Sequence, residues 1–66
     1  MSTLDHIDLA ILRALQKNAR LTTKEVAAQV NLSSTPVFER IKRMEREGII
    51  KQYVAIVDAS KLNRGF

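Results

Sequence analysis

Apolar residues recur at helical spacing over the first quarter of the chain. Counting about 100° per residue, one face carries Ile7, Ile11, Leu12 and Leu15. Asp5 precedes this run as an N-cap candidate, and Asp8 stands three residues later, where negative charge favours a helix start. The pattern predicts a first helix that begins after Asp5.

The next apolar run has the same arrangement. Thr22 and Glu25 have the spacing of a capping box. The residues that share a face behind them are Val26, Ala27 and Val30. Asn31 tolerates the left-handed conformation that ends many helices. These positions predict a short second helix that stops at Asn31.

A third helix is predicted from the stretch "LSSTPVFERIKRMEREG". Ser33 is its N-cap, followed by Ser34, Thr35 and Pro36 as the first three residues. A first helical turn lacks intrahelical acceptors for its N–H groups, so a proline there loses little. Pro36 therefore opens this helix, which continues to Glu47 and stops at Gly48.

The second and third predicted helices are separated by only two or three residues. So short a turn requires a close, steep crossing, and the small Ala27 and the apolar Val37 suit the contact. This is the sequence logic of a helix-turn-helix, in which the second helix of the pair enters a DNA groove. Any small three-helix bundle is the alternative, because it also needs caps and periodic apolar residues.

The faces of the third helix differ in chemistry. Val37, Ile41 and Met44 fall together as the core face. Phe38 and Arg40 lie on its two flanks. The side chains expected to point outward are Thr35, Pro36, Glu39, Lys42, Arg43 and Arg46. Hydroxyls, free N–H groups and long cationic side chains suit a major groove. A solvated surface held by Glu39–Arg43 and Arg43–Glu47 pairs is the alternative.

The segment from Ile50 to Val57 is rich in β-branched and aromatic residues and is predicted to be a strand. No tight-turn pair follows that would fold it back as a hairpin. Because a lone strand leaves its backbone groups without partners, we expect the partner strand to come from elsewhere.

Composition narrows the classes of function. The chain has 66 residues, no cysteine and a net charge of +4, enough for one small domain. Residues 34–66 hold seven cationic against four acidic side chains, which suits a polyanionic partner. No run approaches the roughly 18 apolar residues of a membrane span.

An enzyme finds little support in the sequence. It has no thiol, no glycine-rich phosphate loop and no HExxH motif. The single histidine, His6, is interpreted as a surface residue, and Asp5 and Asp8 as caps rather than a catalytic pair. We therefore predict a binding protein, with no cofactor in this chain.

Three runs together resemble the N-terminal DNA-binding domain of the Lrp/AsnC, or feast/famine, transcriptional regulators. They are "LDHIDLAILRALQKNAR", "EVAAQVNLSSTPVFERIKRMEREGII" and "YVAIVDASKLNRGF". The resemblance implies a mainly α fold: a three-helix winged-helix type of helix-turn-helix over residues 1–49, followed by a β-strand hinge and linker over residues 50–66.

The resemblance also implies which residues meet DNA. The start of the recognition helix is formed by Ser33, Ser34, Thr35 and Pro36. The part that looks toward DNA holds Phe38, Glu39, Arg40, Lys42 and Arg43. Thr23 and Lys24, at the start of the second helix, would lie near the duplex backbone. Asn31 stands where this family usually has glycine. Glu39 either accepts a cytosine amino group or holds Arg43, and we favour the second role.

In similar proteins the strand that follows the third helix is a dimer hinge, and the chain continues into a C-terminal domain that binds amino acids. The corresponding hinge residues here are Tyr53, Val54, Ala55, Ile56 and Val57. We therefore expect a cytoplasmic regulator that binds palindromic double-stranded DNA as a homodimer or higher homo-oligomer. An amino-acid effector would bind only with the C-terminal domain. Because the chain stops at Gly65 and Phe66, we expect a piece of a longer protein; a short stand-alone protein is the alternative. A winged-helix module for protein association is the competing function.

Overall fold

The computed structural model describes residues 4–62 as three α-helices and a short 3₁₀ helix. The α-helices are α1 (His6–Lys17), α2 (Thr23–Val30) and α3 (Ser34–Arg46), and the 3₁₀ helix spans Ala59–Lys61. The predicted order of three helices is confirmed. Residues 1–3 and 63–66, including the chain end at Gly65 and Phe66, lie outside the described residues.

Reciprocal hydrogen bonds close the first turns of α1 and α2. The Asp8 N–H donates to Asp5 Oδ1 over 2.8 Å, and the Asp5 N–H donates to Asp8 Oδ2 over 3.2 Å. Thr22 and Glu25 make the same exchange over 2.8 and 3.1 Å. Both helix starts are as predicted, because a capping box depends only on residues three positions apart.

Left-handed residues end α2 and α3. Asn31 has φ 60° and ψ 43°, and Gly48 has φ 76°. Beyond α3, the Gly48 N–H donates to the Glu45 carbonyl over 3.1 Å and the Ile49 N–H to the Met44 carbonyl over 2.9 Å. These are the two bonds of a Schellman motif. The helix thus stops at Gly48 as predicted, with Arg46 as its last helical residue.

The core lies where the three helices meet. Its buried apolar members are Ile11 and Leu15 of α1, Val26 and Ala27 of α2, and Val37, Ile41 and Met44 of α3. The predicted core face of α3 is confirmed. Because Ala27 is small, α2 and α3 can pack closely beside the three-residue turn that joins them.

The strand predicted over residues 50–57 is not formed within the single chain. Ile50 packs against the core, but residues 51–58 have no regular secondary structure. Val54, Ile56 and Val57 are all more than half exposed. A strand is defined by hydrogen bonds to a neighbour, and residues 4–62 contain no second strand to pair with this segment.

Candidate nucleic-acid interface

The α2–α3 turn presents the beginning of α3 to solvent. Asn31 turns the chain, and the Leu32 N–H closes it by donating to the Ala27 carbonyl over 3.0 Å. Ser33 is the N-cap residue, as predicted, although its side chain accepts no capping hydrogen bond within residues 4–62. Ser33, Ser34 and Thr35 are exposed. The first turn of α3 therefore offers hydroxyls and backbone N–H groups to a ligand.

Four exposed side chains form a line along α3 opposite its core face. Counting about 100° per residue from Val37, they lie within about 40° of the direction opposite the core. We call them the outward stripe: Thr35, Glu39, Lys42 and Arg46. The stripe combines a hydroxyl, a carboxylate and two cations, groups that bind base edges and phosphates. Arg46 was expected to point outward but was not among the predicted DNA contacts.

One flank of α3 is tied to the start of α1 by a group we call the Asp–Arg cluster: Asp5, Asp8, Arg40 and Arg43. Arg40 Nη1 lies 2.8 Å from both Asp5 carboxylate oxygens and 2.9 Å from Asp8 Oδ1. Arg43 Nη2 donates to Asp8 Oδ2. The sequence predicts both carboxylates as helix-start residues alone and both arginines on the side that looks toward DNA. The structure gives the carboxylates a second function.

Charge and burial change the acidity of the Asp–Arg cluster. Hydrogen bonds from the Asp8 N–H and from Arg40 lower the Asp5 pKa from 3.8 to about 2. Burial works to raise the pKa of Asp8, but hydrogen bonds from Arg40 and Arg43 outweigh it and the pKa falls. The Asp5 and Asp8 carboxylates raise the pKa of Arg40. All the shifts favour the charged forms that pair with each other.

The other flank of α3 faces the extended segment. The Lys42 Nζ lies 5.4 Å from the centre of the Phe38 ring and 3.3 Å from Glu45 Oε1. Tyr53 donates from its hydroxyl to Glu45 Oε2 over 2.7 Å. Burial and the Glu45 carboxylate raise the Tyr53 pKa to about 12, and the same bond lowers the pKa of Glu45. Lys42 is thus held between an aromatic ring and a carboxylate.

Glu39 does not hold Arg43, contrary to the role favoured from the sequence. Arg43 turns instead to Asp8. Glu39 is exposed on the outward stripe and makes no ion pair within the described part of the chain. Its second predicted role, acceptance of a hydrogen bond from a base, stays a prediction.

The remaining predicted contacts lie at two places. Thr23, the first residue of α2, lines a shallow cleft together with Phe38 and Lys42. Lys24 is exposed on the first turn of α2, and Pro36 is half-buried on the first turn of α3. The structure therefore brings Thr23 to the same surface as the middle of α3.

Residues 4–62 contain no cluster of His, Asp or Glu that could hold a metal ion. None of the helices in this part of the chain is long and apolar enough to cross a membrane.

The α2–α3 turn, followed by a helix with a polar and cationic outward stripe, defines a helix-turn-helix. Residues 4–51 match the winged helix-turn-helix DNA-binding family, and the chain belongs to that family. The predicted winged-helix class is thereby confirmed.

Curated relatives and solved structures confirm the resemblance to Lrp/AsnC regulators. The chain is 44% identical over 63 residues to the Bkd operon transcriptional regulator of Pseudomonas aeruginosa, covering 96% of this chain and 41% of that protein. It is 43% identical over 60 residues to the leucine-responsive regulatory protein of Escherichia coli K12, covering 91% of this chain and 37% of that protein. The chain thus spans about two fifths of the length of these relatives.

Two solved structures have the same fold at high identity. LrpC of Bacillus subtilis aligns with a TM-score of 0.89 at 44% identity, over 92% of this chain and 44% of that one. The regulator NMB0573 of Neisseria meningitidis, solved as an L-Met complex, aligns with a TM-score of 0.89 at 43% identity, over 96% of this chain and 41% of that one.

Proposed function

We propose that this chain is the DNA-reading part of a transcriptional regulator and that α3 enters the major groove of double-stranded DNA. The outward stripe of α3 carries the proposal, because it sets a hydroxyl, a carboxylate and two cations along the exposed side of a helix that begins at a tight turn. A major groove is wide enough for one α-helix and displays a distinct donor and acceptor pattern for each base pair.

The proposed contacts fall into two classes. Phosphate is bound at the first turn of α3 by its free N–H groups and by Ser33, Ser34 and Thr35, where Pro36 pre-sets the helix start. The phosphate backbone of the DNA is also approached by Thr23 and Lys24 of α2. Base edges are read by Phe38 and Glu39, with Phe38 suited to a thymine methyl group and Glu39 to a cytosine amino group. Lys42 binds a phosphate beside them. Arg46 extends the line of cations toward the flanking phosphate.

We further propose that two copies bind together. The exposed segment of Tyr53, Val54, Ala55, Ile56 and Val57 has no strand partner among residues 4–62, and a second copy supplies an identical edge. Two α3 helices about 34 Å apart then fit half-sites one helical turn apart. Such a site is palindromic, because the protein pair is symmetric.

The whole protein is proposed to be longer than this chain, since its relatives are. An amino-acid effector would bind the remaining domain, in keeping with the L-Met complex of the N. meningitidis relative. The chain itself acts by binding DNA in the cytoplasm, not by catalysis, and without a cofactor.

Fluorescence anisotropy with labelled duplex DNA over a range of salt concentrations tests the proposal. The expected binding weakens steeply with salt, and Lys42→Met reduces the slope of log K against log salt by about 0.9, the value for one phosphate contact. Lys61→Met is the matched control, because Lys61 lies beyond the residues that match the family, and it should leave the slope unchanged. Undetectable or salt-independent binding would favour the protein-association module.

A further inference from the structure

The carboxylate of Asp8 is the most deeply buried ionised group described in this protein. Its side chain is 1% exposed, yet it lies in the first turn of α1, where an aspartate cap is normally solvated. A buried charge is tolerated only when opposite charge and hydrogen bonds satisfy it. Both of its charged partners, Arg40 and Arg43, belong to α3, so the buried group serves the contact between α1 and α3.

Arg40 and Arg43 bind the same Asp8 carboxylate from positions one helical turn apart on α3. Arg40 and Arg43 lie about 60° and 120° from the core face of α3, both on the same side. Two ion pairs on one flank of α3 oppose rotation of this helix about its own axis. A rotation of about 100° would replace each outward residue by its neighbour in sequence. Which residues face DNA therefore depends on the two ion pairs with Asp8.

Both guanidinium groups are already bound to carboxylates, which leaves fewer of their N–H groups for DNA. Arg40 Nη1 already meets three carboxylate oxygens. Arg43 Nε is buried and makes no hydrogen bond within residues 4–62. The arginine side chains are 26% and 27% exposed, whereas Lys42 is 50% exposed. Of the four cationic side chains of α3, Lys42 and Arg46 are the two that lie exposed on the outward stripe, and the Lys42 ion pair with Glu45 is longer, at 3.3 Å.

We propose that Arg40 and Arg43 are positioning residues, which bind Asp8 to fix the rotation of α3 and do not themselves bind DNA. The inference rests on the proposed function. It assigns the specificity of the domain partly to Asp8, an acidic residue that touches no base. The two aspartates also neutralise the two arginines, so fewer phosphate contacts form than the composition of α3 suggests.

Asp8→Asn separates this inference from a purely electrostatic view. The substitution removes a negative charge and releases Arg43, while Arg40 keeps its contacts with Asp5, so electrostatics alone predicts tighter binding to DNA. The positioning role predicts weaker binding to a duplex selected by the parent chain from a random-sequence pool, by about tenfold, the loss of one good base contact. Asp58→Asn is the matched control: it makes the same charge change at the N-cap of the 3₁₀ helix and should not weaken binding.

Arg43→Met gives a second, independent readout. It keeps most of the apolar volume while removing the guanidinium. The expected result is a lower ratio of selected to random-sequence affinity with an unchanged salt slope, whereas Lys42→Met should lower the slope. The double variant Asp8→Asn, Arg43→Met should bind no more weakly than Asp8→Asn, because the two residues act as a unit.

The outcomes are distinct. Circular dichroism first establishes that each variant is folded at the assay temperature, and if Asp8→Asn is not, Arg43→Met decides. Tighter binding by Asp8→Asn, or a salt slope reduced by Arg43→Met as much as by Lys42→Met, would overturn the positioning role while leaving DNA binding intact. A parent chain that binds no duplex at low salt would instead overturn the proposed function.

Discussion

The Tyr53 hydroxyl donates a 2.7 Å hydrogen bond to Glu45 Oε2, which ties the extended segment back to α3. The same carboxylate binds Lys42 through its other oxygen, 3.3 Å away. A residue of the proposed dimer segment is therefore two contacts away from a cation of the outward stripe. Movement of the segment would change the surroundings of Lys42 directly.

Tyr53→Phe should remove this link at small cost to the fold. We expect a loss of about 0.5–1 kcal/mol in the free energy of unfolding, since the bond is exposed and one partner is charged. Urea unfolding measures it, with Glu45→Gln and the double variant completing the cycle. Additive losses from the two single variants would mean that the hydroxyl and the carboxylate do not interact in solution.

Burial of Tyr53 and its bond to Glu45 together make stability depend on high pH. The Tyr53 pKa is raised from 10.0 to about 12, so the folded state binds the phenolic proton more tightly than the unfolded chain. The stabilisation is complete below pH 10.0 and is lost as the pH rises through 12. Phenolate absorbance of the folded protein should therefore titrate near 12, and titration at the ordinary value would contradict the partly buried, hydrogen-bonded position of Tyr53.

The Asp–Arg cluster should make the protein sensitive to acid. Because the Asp5 pKa is lowered from 3.8 to about 2, the stabilisation is present above pH 3.8 and is lost as the pH falls toward 2. Asp8 acts in the same direction. Urea unfolding at a series of pH values should show this loss, and Asp5→Asn, which keeps a capping oxygen, should flatten it. An unchanged pH dependence in Asp5→Asn would contradict the pairing.

Asn31→Ala should destabilise the turn between α2 and α3. Asn31 has φ 60°, a conformation that costs most residues about 1–2 kcal/mol and costs glycine little. We expect Asn31→Ala to lower the free energy of unfolding by about 1 kcal/mol and Asn31→Gly to preserve or raise it. Equal thermal midpoints for the alanine and glycine variants would show that the turn relaxes to another conformation.

The sequence predicted local features better than contacts between helices. The Asp5 N-cap, the Thr22–Glu25 capping box, the left-handed Asn31 and the helix-opening Pro36 each depend on residues within a few positions, so their spacing was sufficient. The ion pair of Arg40 with Asp5 joins residues 35 apart. Spacing on α3 placed Arg40 on a flank, but nothing local indicated that the start of α1 would lie beside it.

The strand over residues 50–57 stays a prediction, because its partner was expected from outside the chain. Its β-branched composition indicates an extended segment, and residues 51–58 form no helix. Strand structure also needs a neighbour, however, and no neighbour lies within residues 4–62. The sequence indicates the extended conformation of these residues, whereas the hydrogen bonds that would complete a strand require a neighbour outside residues 4–62.

An amide NMR titration with duplex DNA tests the central claim, that α3 reads DNA, most directly. If α3 reads DNA, the largest shifts fall on residues 33–42 and on Thr23 and Lys24, with smaller shifts on residues 51–58. Shifts concentrated in residues 51–58, with α3 unchanged, would contradict the account and favour a surface for protein association.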